Sequence, residues 1–327
     1  MDDMVRFNLI GSSDAFCRVK EQIVKLARVD APVLITGESG TGKELAARAI
    51  HYFSQRGDHP FAPVNCAALA ESLLESELFG HERGAFTDAR NGTAGLVGEA
   101  AGGTLFLDEV DTLSAKAQAA LLRFLQDRTY RRVGGGGLRR VDLRVVVACN
   151  GDLEAMANAK LFRRDLLYRL NVLNLHMPPL RERGEDGVEL ADVFLERLAK
   201  QYCLPKKRMS PAGLQFIRRH DWPGNVREME NLIHREFLMN DADELDFSAS
   251  LPALSATGRK SDGAPSDFRS AKVRAIAEFE QCYVSDVMSR AKGNLTAAAR
   301  LARTDRSAFG KLARKYGYAG KVQDAES

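Results

Sequence analysis

No apolar run in the 327-residue chain approaches the ~18 residues that span a bilayer. The opening residues, Met1-Asp2-Asp3-Met4, are acidic, whereas an export signal begins basic and then turns apolar. No membrane span and no leader are therefore expected. Cysteine is sparse: Cys17, Cys66, Cys149, Cys203 and Cys282 are scattered, odd in number and lack a C-x-x-C pair. That usage predicts a reduced, cytoplasmic protein without a disulfide framework or a zinc site. Repeats and low-complexity tracts are missing as well. With 45% hydrophobic and 28% charged residues, wholesale disorder and collagen-like repetition are excluded.

What is present fits two or three folded units, at roughly 150 residues per domain. The net charge of +3 hides an asymmetry. Residues 269–321 carry twelve Lys or Arg against four Asp or Glu, while the remainder carries 35 against 40. A small basic module on a mildly acidic body suggests a polyanion-binding appendage, the alternative being a solvated basic helix surface. Between them, residues 248–270 are rich in Ser, Ala, Gly, Pro and Asp and read as a flexible linker.

The body alternates short β-branched runs with helical patterns, as parallel α/β units do. Strands are predicted at 32–36, 61–65, 104–108, 143–149 and 172–177, with a helix over 44–53. From Val188 onward the pattern turns helical, with Pro211 and Asn225 at helix starts. The body thus divides near Pro178 into an α/β part and a helical part.

Gly37-Glu38-Ser39-Gly40-Thr41-Gly42-Lys43 follows the first strand and opens a helix, the context a P-loop requires. Its glycines let backbone N–H groups turn around phosphate oxygens, and the helix N-terminus adds its positive end. Lys43 would reach the β- and γ-phosphates of ATP. Glu44 stands where Ser or Thr usually offers a hydroxyl to Mg2+, so an ordinary glycine turn is the competing reading. Downstream, Thr104-Leu105-Phe106-Leu107 deliver Asp108 and Glu109 at a strand end, a Walker B pattern. Asp108 would orient magnesium through water and Glu109 would polarise the attacking water. Alone, the two could be surface carboxylates; after a P-loop they indicate ATP hydrolysis.

Gly84-Ala85-Phe86-Thr87-Asp88-Ala89 resembles the G-A-F-T-G-A loop of bacterial enhancer-binding proteins, the AAA+ ATPases that activate sigma-54 RNA polymerase. The resemblance extends to Glu77-Leu78-Phe79-Gly80-His81-Glu82, to the P-loop form G-E-S-G-T-G-K-E and to Trp222-Pro223-Gly224-Asn225-Val226-Arg227-Glu228. It covers about Ile10 to Asp246 and resumes over the terminal helices. Glu44 is usual in that family. The resemblance implies that Asn65 holds the catalytic glutamate, and that Asn150 and Arg227 are the first and second sensors. It implies that Arg163 and Arg169 are presented to a neighbouring subunit's ATP, where guanidinium suits the γ-phosphate charge. Arg131-Arg132-Val133-Gly134 matches a second pore loop that moves with the first. Asp88 departs from the family glycine and adds a charge at the tip that meets the sigma factor.

After the linker, helices are predicted over 279–291, 296–302 and 306–316, with a tight turn at 303–305. Leu295, Ala298, Leu301, Ala302, Phe309, Leu312 and Ala313 are expected to face inward. This is a helix-turn-helix plan and resembles the Fis-type DNA-binding domain. Arg306, Ser307 and Lys311 could reach base edges, while Arg314 and Lys315 suit phosphates. A helical packing or dimerisation unit is the alternative.

The expected fold is therefore α/β: a P-loop AAA+ parallel sheet (1–177) with a helical lid (178–247), then the linker (248–270) and a small all-α helix-turn-helix domain (271–327). The expected function is a sigma-54-dependent activator that binds enhancer DNA and hydrolyses ATP as a hexamer to remodel polymerase holoenzyme. Only about nine residues precede Ile10, too few for a receiver or ligand-sensing domain, so control is expected from a regulatory protein in trans, from expression level, or from nothing at all. Two competitors remain: a DNA- and ATP-binding regulator acting without sigma-54, favoured by Asp88, and a motor that remodels DNA itself.

Overall fold

Apolar residues follow one another without polar interruption in Val33-Leu34-Ile35, Leu105-Phe106-Leu107 and Val145-Val146-Val147. Strands of that kind need cover on both faces, and the computed structural model provides it. It describes residue 4, residues 6–68, 71–85 and 91–247, and parts of 280–318. In chain order the first elements are α1 (Asp14–Ala27), β1 (Val33–Thr36), α2 (Lys43–Tyr52), β2 (Phe61–Asn65), α3 (Glu71–Phe79) and α4 (Gly95–Glu99). Then come β3 (Thr104–Asp108), α5 (Ala115–Asp127), β4 (Thr129–Tyr130), β5 (Arg139–Arg140), β6 (Arg144–Cys149), α6 (Leu153–Asn158), α7 (Arg164–Leu170) and β7 (Leu173–His176).

Five of these strands form one parallel sheet in the order β2-β3-β6-β1-β7. Side chains alternate between two cores, as the pleat demands. Val33, Ile35, Phe106, Val146 and Ala148 pack beneath α1 and α2. Leu34, Leu105, Leu107, Val145, Val147 and Cys149 pack with Phe124, Leu166 and Leu170 on the other side. The chain leaves β1 for the far edge strand β2, although β1 itself lies between β6 and β7. The strand order therefore reverses at β1, and the loop at its C-terminal end occupies the crevice where open parallel sheets take ligands.

The helical part comprises α8 (Asp186–Tyr202), β8 (Arg208–Met209), α9 (Pro211–Arg219), α10 (Asn225–Met239) and β9 (Glu244–Leu245). Pro211 sits at the first turn of α9 with Ser210 as its cap, and α10 begins at Asn225. Trp222 is fully buried among Leu195, Ile217, Met229 and Phe247, its Nε1 donating to the Ile217 carbonyl at 3.0 Å. Its place is in this packing.

The chain divides into two compact units, Met1–Thr257 and Gly258–Ser327. The expected linker at 248–270 lies outside the described residues, as does most of the helix expected at 279–291. In the second unit α11 (Leu295–Leu301) and α12 (Arg306–Lys315) are joined by a short turn. Asn294 caps α11 by accepting from the Thr296 and Ala297 amides. The two helices approach closely: a Cβ on Gly310 would lie 3.3 Å from Leu295 Cδ2. Ala298, Phe309 and Ala313 are buried as expected, but Leu301 is 53% exposed and Ala299 is buried instead. Leu301 is the last residue of α11, where no following turn covers it.

The strand predicted from 143 begins at Arg144, which is 2% exposed. Its guanidinium donates to the carbonyls of Leu26 (2.8 Å), Ala27 (3.4 Å) and Ala31 (3.2 Å), closing the C-terminal end of α1. A buried cation here answers the Ala27 and Ala31 carbonyls at the helix end and joins the Val29 amide on that of Leu26. Arg144→Met should remove the donor from the Ala27 and Ala31 carbonyls and lower unfolding stability by about 3 kcal/mol, measured by chemical denaturation. A loss within experimental error would remove this role.

Candidate active site

The loop between β1 and α2 wraps the Lys43 side chain. Lys43 is only 7% exposed, and its Nζ donates to the carbonyls of Gly37 and Glu38, both at 2.9 Å, and to Asn150 Oδ1 at 2.5 Å. Burial pulls the ammonium below the usual lysine range, and the Asp108 carboxylate works against that shift. Asp108, at the end of β3, is pushed up by burial and drawn back by the Glu109 amide and by Lys43. Each group thus offsets part of the shift that burial imposes on the other.

Glu109 has φ 55° and ψ 45°, the left-handed region that non-glycine residues avoid. Thr112 holds it there, its amide and Oγ1 both bonded to the Glu109 carbonyl at 3.0 and 2.7 Å. Such strain concentrates at functional positions. Asn150 Nδ2 donates to Glu109 Oε1 at 3.2 Å, so one amide side chain bridges Lys43 and Glu109. Asn65 pairs in register with Asp108, but its Oδ1 accepts from the Ala67 and Ala68 amides at 2.9 and 3.2 Å. The carboxylate that the resemblance gives to Asn65 is here held by Asn150. Cys149 and Cys66 are buried thiols, each pushed up to about 12, chiefly by burial, and neither is ionised at neutral pH.

The remaining loop residues point to the helical part. Glu38 accepts a two-pronged contact from Arg181, at 2.6 and 2.9 Å, and a third bond from Asn225 at 3.1 Å. These contacts, the arginine first, hold its carboxyl at about 2. Ser39 lies 3.5 Å from Arg227 Nη1, and the Gly40 carbonyl accepts from the Val226 amide at 3.1 Å. Thr41 Oγ1 donates to the Glu38 carbonyl at 2.8 Å. Gly42 precedes α2, and Glu44 is exposed and paired with Arg48 at 2.7 Å. Opposite the loop, the cleft is walled by Asn8, Leu9, Ile10, Phe16 and Leu190. The segment 10–13 is fastened to α8: buried Asp186 accepts from the Ser12 and Ser13 amides, both at 2.8 Å, and pairs with Arg183 at 2.9 Å.

Sequence reasoning named the loop, of which Ser39 to Glu44 line this cleft, and Asp108, Glu109, Asn150 and Arg227, which line it too. It missed Arg181, Arg183, Asp186 and the apolar wall. Asn225 was legible only as a helix start, though a polar residue that is 0% exposed with φ 52° acts as a connector.

Arg163 and Arg169 do not line this chain's own cleft. Arg163 caps α7 and makes a two-pronged pair with Asp165, and Arg169 reaches the Leu125 carbonyl at 3.3 Å. Of the sigma-factor loop, Gly84 and Ala85 are described; Phe86, Thr87, Asp88 and Ala89 lie outside the described residues. The loop's base is bridged to the second pore loop through His81–Val133, the Glu82 amide to the Val133 carbonyl at 3.0 Å, and Arg132 to Glu82 at 3.3 Å. In the second unit Arg306, Ser307, Lys311, Arg314 and Lys315 are all exposed; Ser307, Lys311, Arg314 and Lys315 share the face of α12 away from Phe309 and Ala313, and Arg306 stands at its first residue. Lys315 is paired with Glu280 at 2.7 Å, so it meets a phosphate only by giving up that partner.

The chain matches the family described as the Sigma-54 interaction domain over residues 9–176, and the AAA+ ATPase lid domain over residues 181–266. It is 43% identical over 310 residues to the alginate biosynthesis transcriptional regulatory protein AlgB of Pseudomonas aeruginosa, covering 93% of this chain and 66% of AlgB. Identity to the transcriptional regulatory protein ZraR of Salmonella typhimurium is also 43% over 310 residues, covering 94% and 69%. The crystal structure of NtrX from Brucella abortus in complex with ATP matches with TM-score 0.70 at 33% identity, covering 94% of this chain and 69% of NtrX. The chain therefore spans about two thirds of the length of these relatives. No described helix is long and apolar enough to cross a membrane.

The tightest point of the site is Gly40, at φ +78°, where an added Cβ would lie 2.3 Å from the Gly224 carbonyl oxygen. Gly40→Ala is expected to displace the loop and weaken phosphate binding at least about tenfold, given a close approach that only glycine permits. Titration with inorganic triphosphate checks this, and undiminished binding would show that the loop does not depend on that approach.

Proposed function

The chain belongs to the Sigma-54 interaction family of AAA+ ATPases, and we propose that it is an ATP-driven transcriptional activator that remodels sigma-54 RNA polymerase holoenzyme from enhancer DNA. One observation carries the enzymatic half of this reading: Asn150 bonds at once to Lys43 and Glu109. Phosphate-holding cation and water-polarising carboxylate are thereby set on one amide.

In this reading the loop amides and Lys43 hold the triphosphate, exchanging the Gly37 and Glu38 carbonyls for phosphate oxygens. Glu109, whose backbone is fixed by Thr112, accepts the proton of the attacking water. The hard carboxylate oxygens of Asp108 fit magnesium, which Asp108 would hold through water and which would supply charge neutralisation on the triphosphate. The fit rests on Asp108, because Glu44 faces solvent and Arg48. Arg227 would sense the γ-phosphate from the lid, and Asn65 would exchange its Ala67 and Ala68 amides for Glu109 in another nucleotide state. Arg163 and Arg169, exposed and remote from their own cleft, would complete the site of the next subunit, so that a closed ring, most simply a hexamer, couples assembly to turnover.

The loop Gly84–Ala89 would present Phe86 and Thr87 to the sigma factor, driven through its base at Glu82 and Val133. Residues 294–316 would serve as a Fis-type helix-turn-helix, with Arg306, Ser307 and Lys311 at base edges and Arg314 on the backbone. The domain limits proposed are 1–177, 178–247, 248–270 and 271–327. The second reading, a regulator acting without sigma-54, is favoured only by the charge of Asp88.

Lys43→Ala should abolish ATP binding, whereas Glu109→Gln should bind ATP and lose turnover by on the order of 100-fold or more. Phosphate release assays and equilibrium binding separate the two. Wild-type turnover in Glu109→Gln would remove the carboxylate from the mechanism.

For the polymerase half, Thr87→Ala should keep ATPase activity but lose capture of sigma-54 in the presence of a transition-state nucleotide analogue. Asp88→Gly should capture at least as well as the parent, since it removes one charge from the contact tip. If the parent and Asp88→Gly both hydrolyse ATP and neither captures sigma-54, the second reading replaces the first.

A further inference from the structure

The phosphate loop contains one acidic side chain, Glu38. A carboxylate there opposes the charge of an incoming triphosphate, because like charges at short range repel. Glu38 is not left to solvent. Arg181 donates Nη2 to Oε1 at 2.6 Å and Nη1 to Oε2 at 2.9 Å, a fork that an ammonium could not make. Asn225 Nδ2 adds a bond to Oε2 at 3.1 Å and another to the Ser39 carbonyl at 3.0 Å. Asn225 is itself fixed, with its Oδ1 accepting from the Leu180 amide at 2.8 Å. Successive lid residues, 180 and 181, thus converge with Asn225 on successive loop residues, 38 and 39. The next loop residue, Gly40, is bonded through its carbonyl to Val226.

Glu38 also shapes the lysine's surroundings. Its main-chain oxygen accepts from Lys43 Nζ at 2.9 Å and from Thr41 Oγ1 at 2.8 Å. Displacing its side chain would shift the carbonyl on which the ammonium rests. The Arg181–Glu38 pair is 40% and 43% exposed, so as an isolated ion pair it contributes little to stability. Its position between loop and lid gives it a different value.

We propose that Arg181 is a positioning residue for triphosphate binding: with Asn225 it neutralises Glu38 and latches the apex of the phosphate loop to the lid. The inference rests on the nucleotide reading above and adds a regulator to that site, since any lid movement that withdraws Arg181 exposes the loop to its own negative charge. Lid position and phosphate affinity then become reciprocal, each biasing the other.

The experiment is a double-mutant cycle on the full chain, reading ATP affinity by calorimetry at several salt concentrations, with thermal melts as the folding control. Arg181→Ala should bind ATP weaker by on the order of tenfold, a deficit that shrinks as salt screens the exposed carboxylate. Arg181→Lys, which keeps the charge but loses the fork, should fall between parent and Arg181→Ala. In a Glu38→Gln background, removing Arg181 should change affinity by less than about twofold, because the charge it answers is gone. An Arg181→Ala protein that binds ATP like the parent overturns the latch. So does an equal loss with and without the Glu38 charge, which would place Arg181 on the phosphates directly or in folding alone. A parent that binds no ATP would instead sink the nucleotide reading on which the latch depends.

Discussion

A lysine ammonium drawn almost wholly out of water at the end of β1 is the constraint to which the site is built. Lys43 can be buried only if its three donors are answered, and two loop carbonyls and Asn150 answer them. The carbonyls require the loop to double back, which needs glycine at 37 and 40. Asn150 requires β6 to lie next to β1, in the register that pairs Thr36 with Cys149. Asp108 stands at the end of β3 beyond it, where it and Lys43 each offset part of the shift that burial imposes on the other. The strand order β3-β6-β1 thus brings the groups that answer one buried cation to the same end of the sheet.

The lid enters through backbone proximity more than through apolar contact. Gly40 and Gly224 approach so closely that neither tolerates crowding, and Val226, Asn225 and Arg181 fasten three consecutive loop residues. On the opposite side Asp186 gathers the Ser12 and Ser13 amides and the Arg183 guanidinium, which lies 3.6 Å over the Phe16 ring. A Cβ on Gly11 would collide with that carboxylate at 2.3 Å. The cleft is thus bounded by two polar seams, one on the phosphate loop and one on the segment before α1. Both seams involve residues near the start of the lid, 180–186, so a rotation there would act on both walls together.

Much of this was legible in the chain itself. Uninterrupted apolar runs gave strands buried on both faces, and Pro211 after Ser210 gave the start of α9. The spacing of glycines before Lys43 and the carboxylates after Leu107 gave the chemistry of the cleft. Less was legible where a residue's partner lies far along the chain. Arg181 and Glu38 are 143 residues apart, and Ser13 and Asp186 are 173 apart. Nothing in their local patterns distinguishes them from solvated charges. Leu301 illustrates the same limit at short range. Its helical spacing matches a buried position, yet it closes α11 and is 53% exposed, while Ala299 is buried.

The sequence by itself determined the class of fold, the family and the identity of the groups that can hold phosphate and activate water, because those depend on residue type and on spacing within one strand or loop. The tertiary structure decided which of those groups touch. It placed Asn150 between Lys43 and Glu109, left Asn65 on its own turn, paired Lys315 with Glu280, and turned an acidic residue of the phosphate loop into a tie to the lid. The reason is geometric: a hydrogen bond is set by distances of about 3 Å and by direction, and only the crossing of strands and helices distant in the chain fixes either.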